Sequence, residues 1–213
     1  MTNKEEHLKS LQEIKSMMEK SSKFISLSGL SGIAAGICGL AGAGAAHITL
    51  QAYYSEKLVN HSNDFPLSAA IDLTFDLVLI GIVTLGAALI TSTFFTARRA
   101  KKHKHNLWNS TSKRLLFNMG LPLVAGGLFC LILMYHGLIG LVAPCTLIFF
   151  GLALIHGSKF TLPEIKYVGI INLLLGLVNG IFIGHGLLFW ALGFGVVNII
   201  YGIYMYFKYD KIA

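Results

Sequence analysis

Four stretches of this chain, 24–55, 77–97, 115–158 and 167–207, contain no Lys, Arg, Asp or Glu. No other feature restricts the fold so severely. About 20 apolar residues in a helix cross a hydrocarbon layer of about 30 Å. The segment 77–97 is long enough for one crossing, and 115–158 and 167–207 are long enough for two each. Inside lipid the backbone has no water to bond, and a helix satisfies its N–H and C=O groups within one segment. Soluble domains carry about a quarter charged residues, whereas this chain of 213 residues carries 13% and is 54% hydrophobic. The expectation is an all-α integral membrane protein.

Breakers divide the apolar runs into six transmembrane helices near 24–52, 68–95, 115–135, 138–156, 165–184 and 187–207, arranged as three helical hairpins. The two longest runs each carry a His-Gly pair near the middle, His136-Gly137 and His185-Gly186. Gly137 and Gly186 are expected to take the positive φ that a tight helix-helix turn needs. At the same offset Gly120 matches Gly169 and Gly127 matches Gly176, so the third and fifth helices read as copies within a repeat of hairpins.

The charges orient these helices. Of 17 Lys and Arg, five fall in 1–23, seven in 98–114, two in 159–166 and two in 208–211. These clusters sit at alternate ends of the helices, so the positive-inside rule puts both termini in the cytoplasm. Three parts follow: an amphipathic helix in 1–23 on the cytoplasmic face, a membrane domain over 24–207, and a cytoplasmic tail over 208–213. The membrane accounts for the basic balance of +7, and no nucleic-acid-binding motif accompanies it. Tyr53, Tyr54 and Tyr135 read as outer-interface anchors, and Trp108, Tyr167, Tyr206 and Tyr209 as inner ones. Cys38, Cys130 and Cys145 lie in apolar sequence at spacings that suit neither a disulfide framework nor a zinc ribbon.

Small residues form stripes. Gly29, Gly32, Gly36 and Gly39 share a face of the first helix, and Gly176, Gly180 and Gly184 recur every four residues in the fifth. Such stripes let helix backbones approach closely in lipid. The stretch SKFISLSGLSGIAAGICGLAGA, after a charged amphipathic segment, resembles a group of uncharacterised bacterial multi-pass inner-membrane proteins. The resemblance implies a bacterial inner-membrane location and brings no activity with it.

Polar residues inside the apolar segments are the candidate site. Asp72 and Asp76 share a face of the second helix, with Asp76 about 12 Å in from its outer end. His47, His136 and His185 end the first, third and fifth helices at similar depth. Imidazole with carboxylate suits a divalent metal such as zinc, so His47, Asp76, His136 and His185 are candidate ligands. Asp72, Asp76, Asn172, Asn179 and Asn198 are candidates to line a polar cavity, with packing the bland alternative.

The favoured function is binding of a small ligand or ion from the outer side for sensing or transport. An intramembrane metal-dependent hydrolase and a structural or accessory subunit are the alternatives. Besides the lipid bilayer, the expected partners are a second copy of the chain, or a cytoplasmic protein meeting residues 4–23 or 98–114.

Overall fold

The computed structural model describes residues 29–59, 67–102 and 110–210, and every element in these segments is helical. Helix α1 is Gly29–Val59, α2 is Leu67–Lys102 and α3 is Ser110–Tyr135. A 3-10 turn at Ile139–Leu141 leads into α4, Val142–Gly157, and α5 is Ile165–Ile181. The last helix, α6, runs unbroken over 186–210. It is α-helical at Gly186–Trp190, widened to π at Ala191–Val197, α again at Asn198–Met205 and π at Tyr206–Asp210. The expected amphipathic segment at 1–23, together with His103, His105 and Trp108, lies outside the described residues.

Among the described residues, five helices are long and apolar enough to cross a membrane: Gly29–Ser55, Ile71–Lys101, Ser110–Tyr135, Ile139–Gly157 and Gly186–Tyr209. Helix α5 is apolar but only 17 residues long. Large apolar side chains such as Phe75, Ile82, Leu89, Phe117, Leu131, Ile181 and Ile200 point away from the rest of the protein. An exterior this apolar marks a surface that meets lipid or another chain. Two asparagines, Asn172 and Asn179, are among the most deeply buried side chains. A chain with an apolar outside and amides inside is built for the membrane.

Some expected loops are helix. Residues 53–59 continue α1, 96–102 continue α2, 110–114 open α3, and 208–210 of the expected tail close α6. Charged residues are no obstacle to a helix once it leaves the hydrocarbon, because water then solvates their side chains while the backbone bonds continue.

The helices pack as an open row. Helix α2 lies along α1, α1 packs on α6, α6 meets α4 and α5, and α3 flanks α4. Two of the expected hairpins are packing units, α1 with α2 and α3 with α4; the third is not, since α5 packs more closely on α4 than on α6. The reason is a reciprocal glycine crossing. A side chain at Gly151 would come within 2.6 Å of Gly169 O, and one at Gly169 within 2.7 Å of Gly151 O. Only glycine at both positions lets the backbones meet.

The stripe in α1 faces α6. A side chain at Gly36 would strike Gly195 O at 2.7 Å, one at Gly39 would meet Phe194 O at 2.7 Å, and one at Gly32 would meet Gly202 Cα at 3.1 Å. Gly29 abuts Gly202 and Tyr206 in the same way. Helices α1 and α2 are tied more loosely, by Ser92 Oγ donating to Ser31 O at 3.2 Å and by Cys38 Sγ lying 3.8 Å from Thr91 Oγ1.

The two His-Gly pairs do opposite jobs. Gly137, at φ +72°, ends α3: its N–H donates to Met134 O at 3.0 Å and the Leu138 N–H donates to Leu133 O at 2.8 Å. That pair of bonds closes a helix C-terminus in the Schellman manner. His185 instead begins α6, its carbonyl accepting from the Leu188 and Phe189 N–H groups at 3.0 and 3.2 Å. The positive φ of that second turn falls on Gly184, at +109°, not on Gly186. Gly184 lies past the end of α5 and so leaves the packing stripe expected for it. The glycines matched between α3 and α5 differ as well. Gly120 and Gly127 face open space, whereas Gly169 and Gly176 meet α4 backbone.

Candidate functional site

The candidate histidines and aspartates do not gather. His47, Asp72, Asp76, His136 and His185 are all exposed, on α1, α2 and the turns that follow α3 and α5. Among the described residues, no three His, Cys, Asp or Glu side chains gather where they could share a metal. A shallow groove on α1, lined by Ile48, Gln51, Ala52, Tyr54 and Ser55, has no charged side chain converging on it.

The asparagines are placed differently. Asn172 and Asn179 lie on the buried face of α5 and are 0% exposed. The Asn172 Nδ2 donates to Val168 O at 3.0 Å, one turn back in its own helix, while Oδ1 has no partner. That Oδ1 rests against α6 at Gly193, where a side chain would come within 2.6 Å of it. Gly193 belongs to the π-widened stretch, and Leu147 of α4 packs on the same point. Asn198, the first residue after that stretch, donates from Nδ2 to Gly193 O at 3.2 Å and to Phe194 O at 3.0 Å. Its amide secures the widened turn. π segments of this kind are frequent at functional sites.

Asn179, seven residues outward of Asn172, has neither its amide oxygen nor its amide nitrogen partnered. An unsatisfied polar group in such a place costs about 1–3 kcal/mol.

A second polar group closes the inner end. Glu164, in the turn before α5, accepts two hydrogen bonds on Oε1, from Lys208 Nζ at 2.6 Å and from Tyr209 Oη at 2.9 Å. Lys208 also donates to Tyr204 Oη at 3.2 Å and lies over the Tyr204 and Tyr209 rings. Arg99 of α2 donates to Tyr209 O at 3.3 Å, so the network joins α2, α6 and the 157–164 turn. Burial alone would raise the Glu164 carboxyl. The Lys208 ammonium, the residue's own backbone N–H and the Tyr209 hydroxyl outweigh it and hold the carboxyl below its usual range. Both side-chain bonds end on one oxygen. The other, Oε2, is buried and unpartnered, as is Tyr201 Oη, which feels the Glu164 charge.

Five buried side-chain atoms among the described residues lack a partner: Glu164 Oε2, Tyr201 Oη, Asn172 Oδ1 and both amide atoms of Asn179. All five belong to α5, α6 or the residue that leads into α5. Counted along the helices from Lys166 and from Lys208, Asn172 lies about 9 Å away, Tyr201 about 10 Å, Asn198 about 15 Å and Asn179 about 20 Å. The sequence points to the three asparagines, which interrupt apolar runs. It passes over Glu164, which resembles an ordinary loop charge, and over Tyr201, one of many aromatics.

Comparison of the chain with models of known protein families, with curated proteins and with solved structures finds no match. The local geometry has to carry the functional reading. The chain is a helical protein of multi-pass membrane type, with Asn172 of α5 set against Gly193 of α6.

Proposed function

We propose that this protein is a six-span bacterial inner-membrane protein that binds a small polar ligand or ion from the outer side, for transport or sensing, along the seam between α5 and α6. The observation that carries the reading is Asn179, a fully buried amide with both its donor and its acceptor bare. A membrane protein keeps such a group at a cost, and polar residues at that depth commonly mark ligand or ion paths. Asn179 is two residues from the outer end of α5, so entry from that side is short.

Six spans are consistent with α5, whose 17 residues reach about 25 Å and sit at the lower limit for a crossing. Basic residues at 98–102, 113–114, 159–166 and 208 support cytoplasmic termini. In that orientation Asp76 lies 22 residues above Arg98, about 33 Å, at the level of the outer headgroups. Its carboxylate then needs no buried partner, and the weight of the site moves from α2 to α5 and α6.

The test is permeation and binding on purified protein. Proteoliposomes are loaded and assayed with rubidium, sodium, urea and glycerol, and the detergent-solubilised protein is melted in the presence of each. At least one probe is expected to cross faster than in protein-free vesicles or to raise the melting temperature, and Asn179→Leu is expected to lose that response. A wild-type protein indifferent to every probe in both assays, and equally impermeable to protons, overturns the reading.

A further inference from the structure

We infer that the α5–α6 seam holds a row of ordered water molecules and conducts protons across the protein; the inference rests on the seam being the functional site. It follows from what the unpartnered groups demand. Asn179 presents a bare donor and a bare acceptor together, Tyr201 Oη can both donate and accept, and Asn172 Oδ1 and Glu164 Oε2 are bare acceptors. An occupant that satisfies all of them must donate at Asn172 and Glu164 and both donate and accept at Asn179. Water does so, typically making about three bonds to buried polar groups that lack partners. A metal ion or halide supplies one sign only. Lys208 beside Glu164 further disfavours a resident cation at the inner end.

The spacing suits a row. Asn179, Asn198, Tyr201 and Asn172 succeed one another within about 11 Å of depth, a few water diameters, and Glu164 waits below them. At Gly193, inside the π-widened stretch over Ala191–Val197, α6 puts no side chain in front of Asn172 Oδ1. In each hop a water oxygen forms a new O–H bond to the arriving proton while one of its own O–H bonds breaks toward the next water. The last proton passes to Glu164 Oε2, whose carboxylate then releases it to water at the inner face. No electron moves and no co-reactant is consumed. Amide side chains hold the waters without taking protons themselves.

Two measurements test this. Proteoliposomes containing pyranine are given a potassium diffusion potential with valinomycin, and inward proton flux is compared with that of protein-free vesicles. Wild type is expected to exceed the empty vesicles. Asn179→Leu and Asn172→Leu should each lower the flux about tenfold, as one broken link does, while Asn179→Ser, which still binds water, retains most of it. Equal elution volumes and helical circular dichroism certify the fold of each variant. Independently of any variant, brief radiolytic hydroxyl-radical labelling of the wild type should oxidise Leu147, which is 0% exposed but packs at Gly193 beside Asn172. Cys145, buried on the α3–α4 side, should stay unlabelled. Proton flux no greater than in empty vesicles overturns the inference, as does an unlabelled Leu147. Rubidium or urea permeation lost in Asn179→Leu without proton flux would overturn the proton path alone and leave the seam as the site.

Discussion

Asn179 and Glu164 each present an atom that the protein itself leaves bare. If water meets the Asn179 amide, Asn179→Leu should lower stability by about 1 kcal/mol, the net worth of a hydrogen bond. A gain in melting temperature would instead mean a dry, unsatisfied amide. Glu164 makes a prediction with a definite sign. Its carboxyl is held below the usual range in the folded protein, so its stabilisation is complete above the ordinary carboxylate pKa of about 4.3 and is lost as the pH falls through the lower folded value. The melting-temperature gap between wild type and Glu164→Gln should therefore be present at neutral pH and close in acid. A gap that persists below that range would remove Glu164 from the ionised state argued for it. Of these two residues, only Asn179 stands out in the sequence. Glu164 acquires its role from Lys208 and Tyr209, which are more than forty positions away.

Helices here are held by glycine contacts more than by large interlocking side chains. Seven-residue spacing makes the α1 stripe legible in sequence, but not its partner, because the facing glycines, Gly195 and Gly202, fall in a helix that is widened twice. Gly36→Ala should cost about 1–3 kcal/mol by forcing α1 off the backbone of α6. Gly44, on the same helix but facing open space, should accept alanine within about 0.5 kcal/mol. Thermal melts of the two variants in one detergent check the pair, and equal losses would show that α1 does not depend on this contact. The matched glycines of α3 and α5 meet different surroundings for a physical reason. A glycine spacing records that close approach is permitted, not which helix comes close.

As a whole the molecule is an open row, with α2 and α3 at the margins and α6 between α1 and the α4–α5 pair. The basic loops predict which end faces the cytoplasm. A membrane-impermeant maleimide should label Ser55→Cys from outside intact cells and Lys159→Cys only after the membrane is opened. The native cysteines, Cys38, Cys130 and Cys145, are buried or half-buried and give little background. Labelling of both variants from outside would overturn the orientation.

What the sequence by itself determined is the class and the approximate placement of the helices, because charge-free runs of spanning length have few alternatives to helix in lipid. It also marked the amides of α5 and α6 as costly. Only the tertiary structure decided which polar groups share a place. It separated His47, Asp76, His136 and His185, drew Glu164 to Lys208 and Tyr209, and set Asn172 against a widened turn of α6. Depth along a helix is linear in residue number and can be counted. The direction a side chain faces depends on which helices pack and where one of them widens, and that is a property of the assembled bundle.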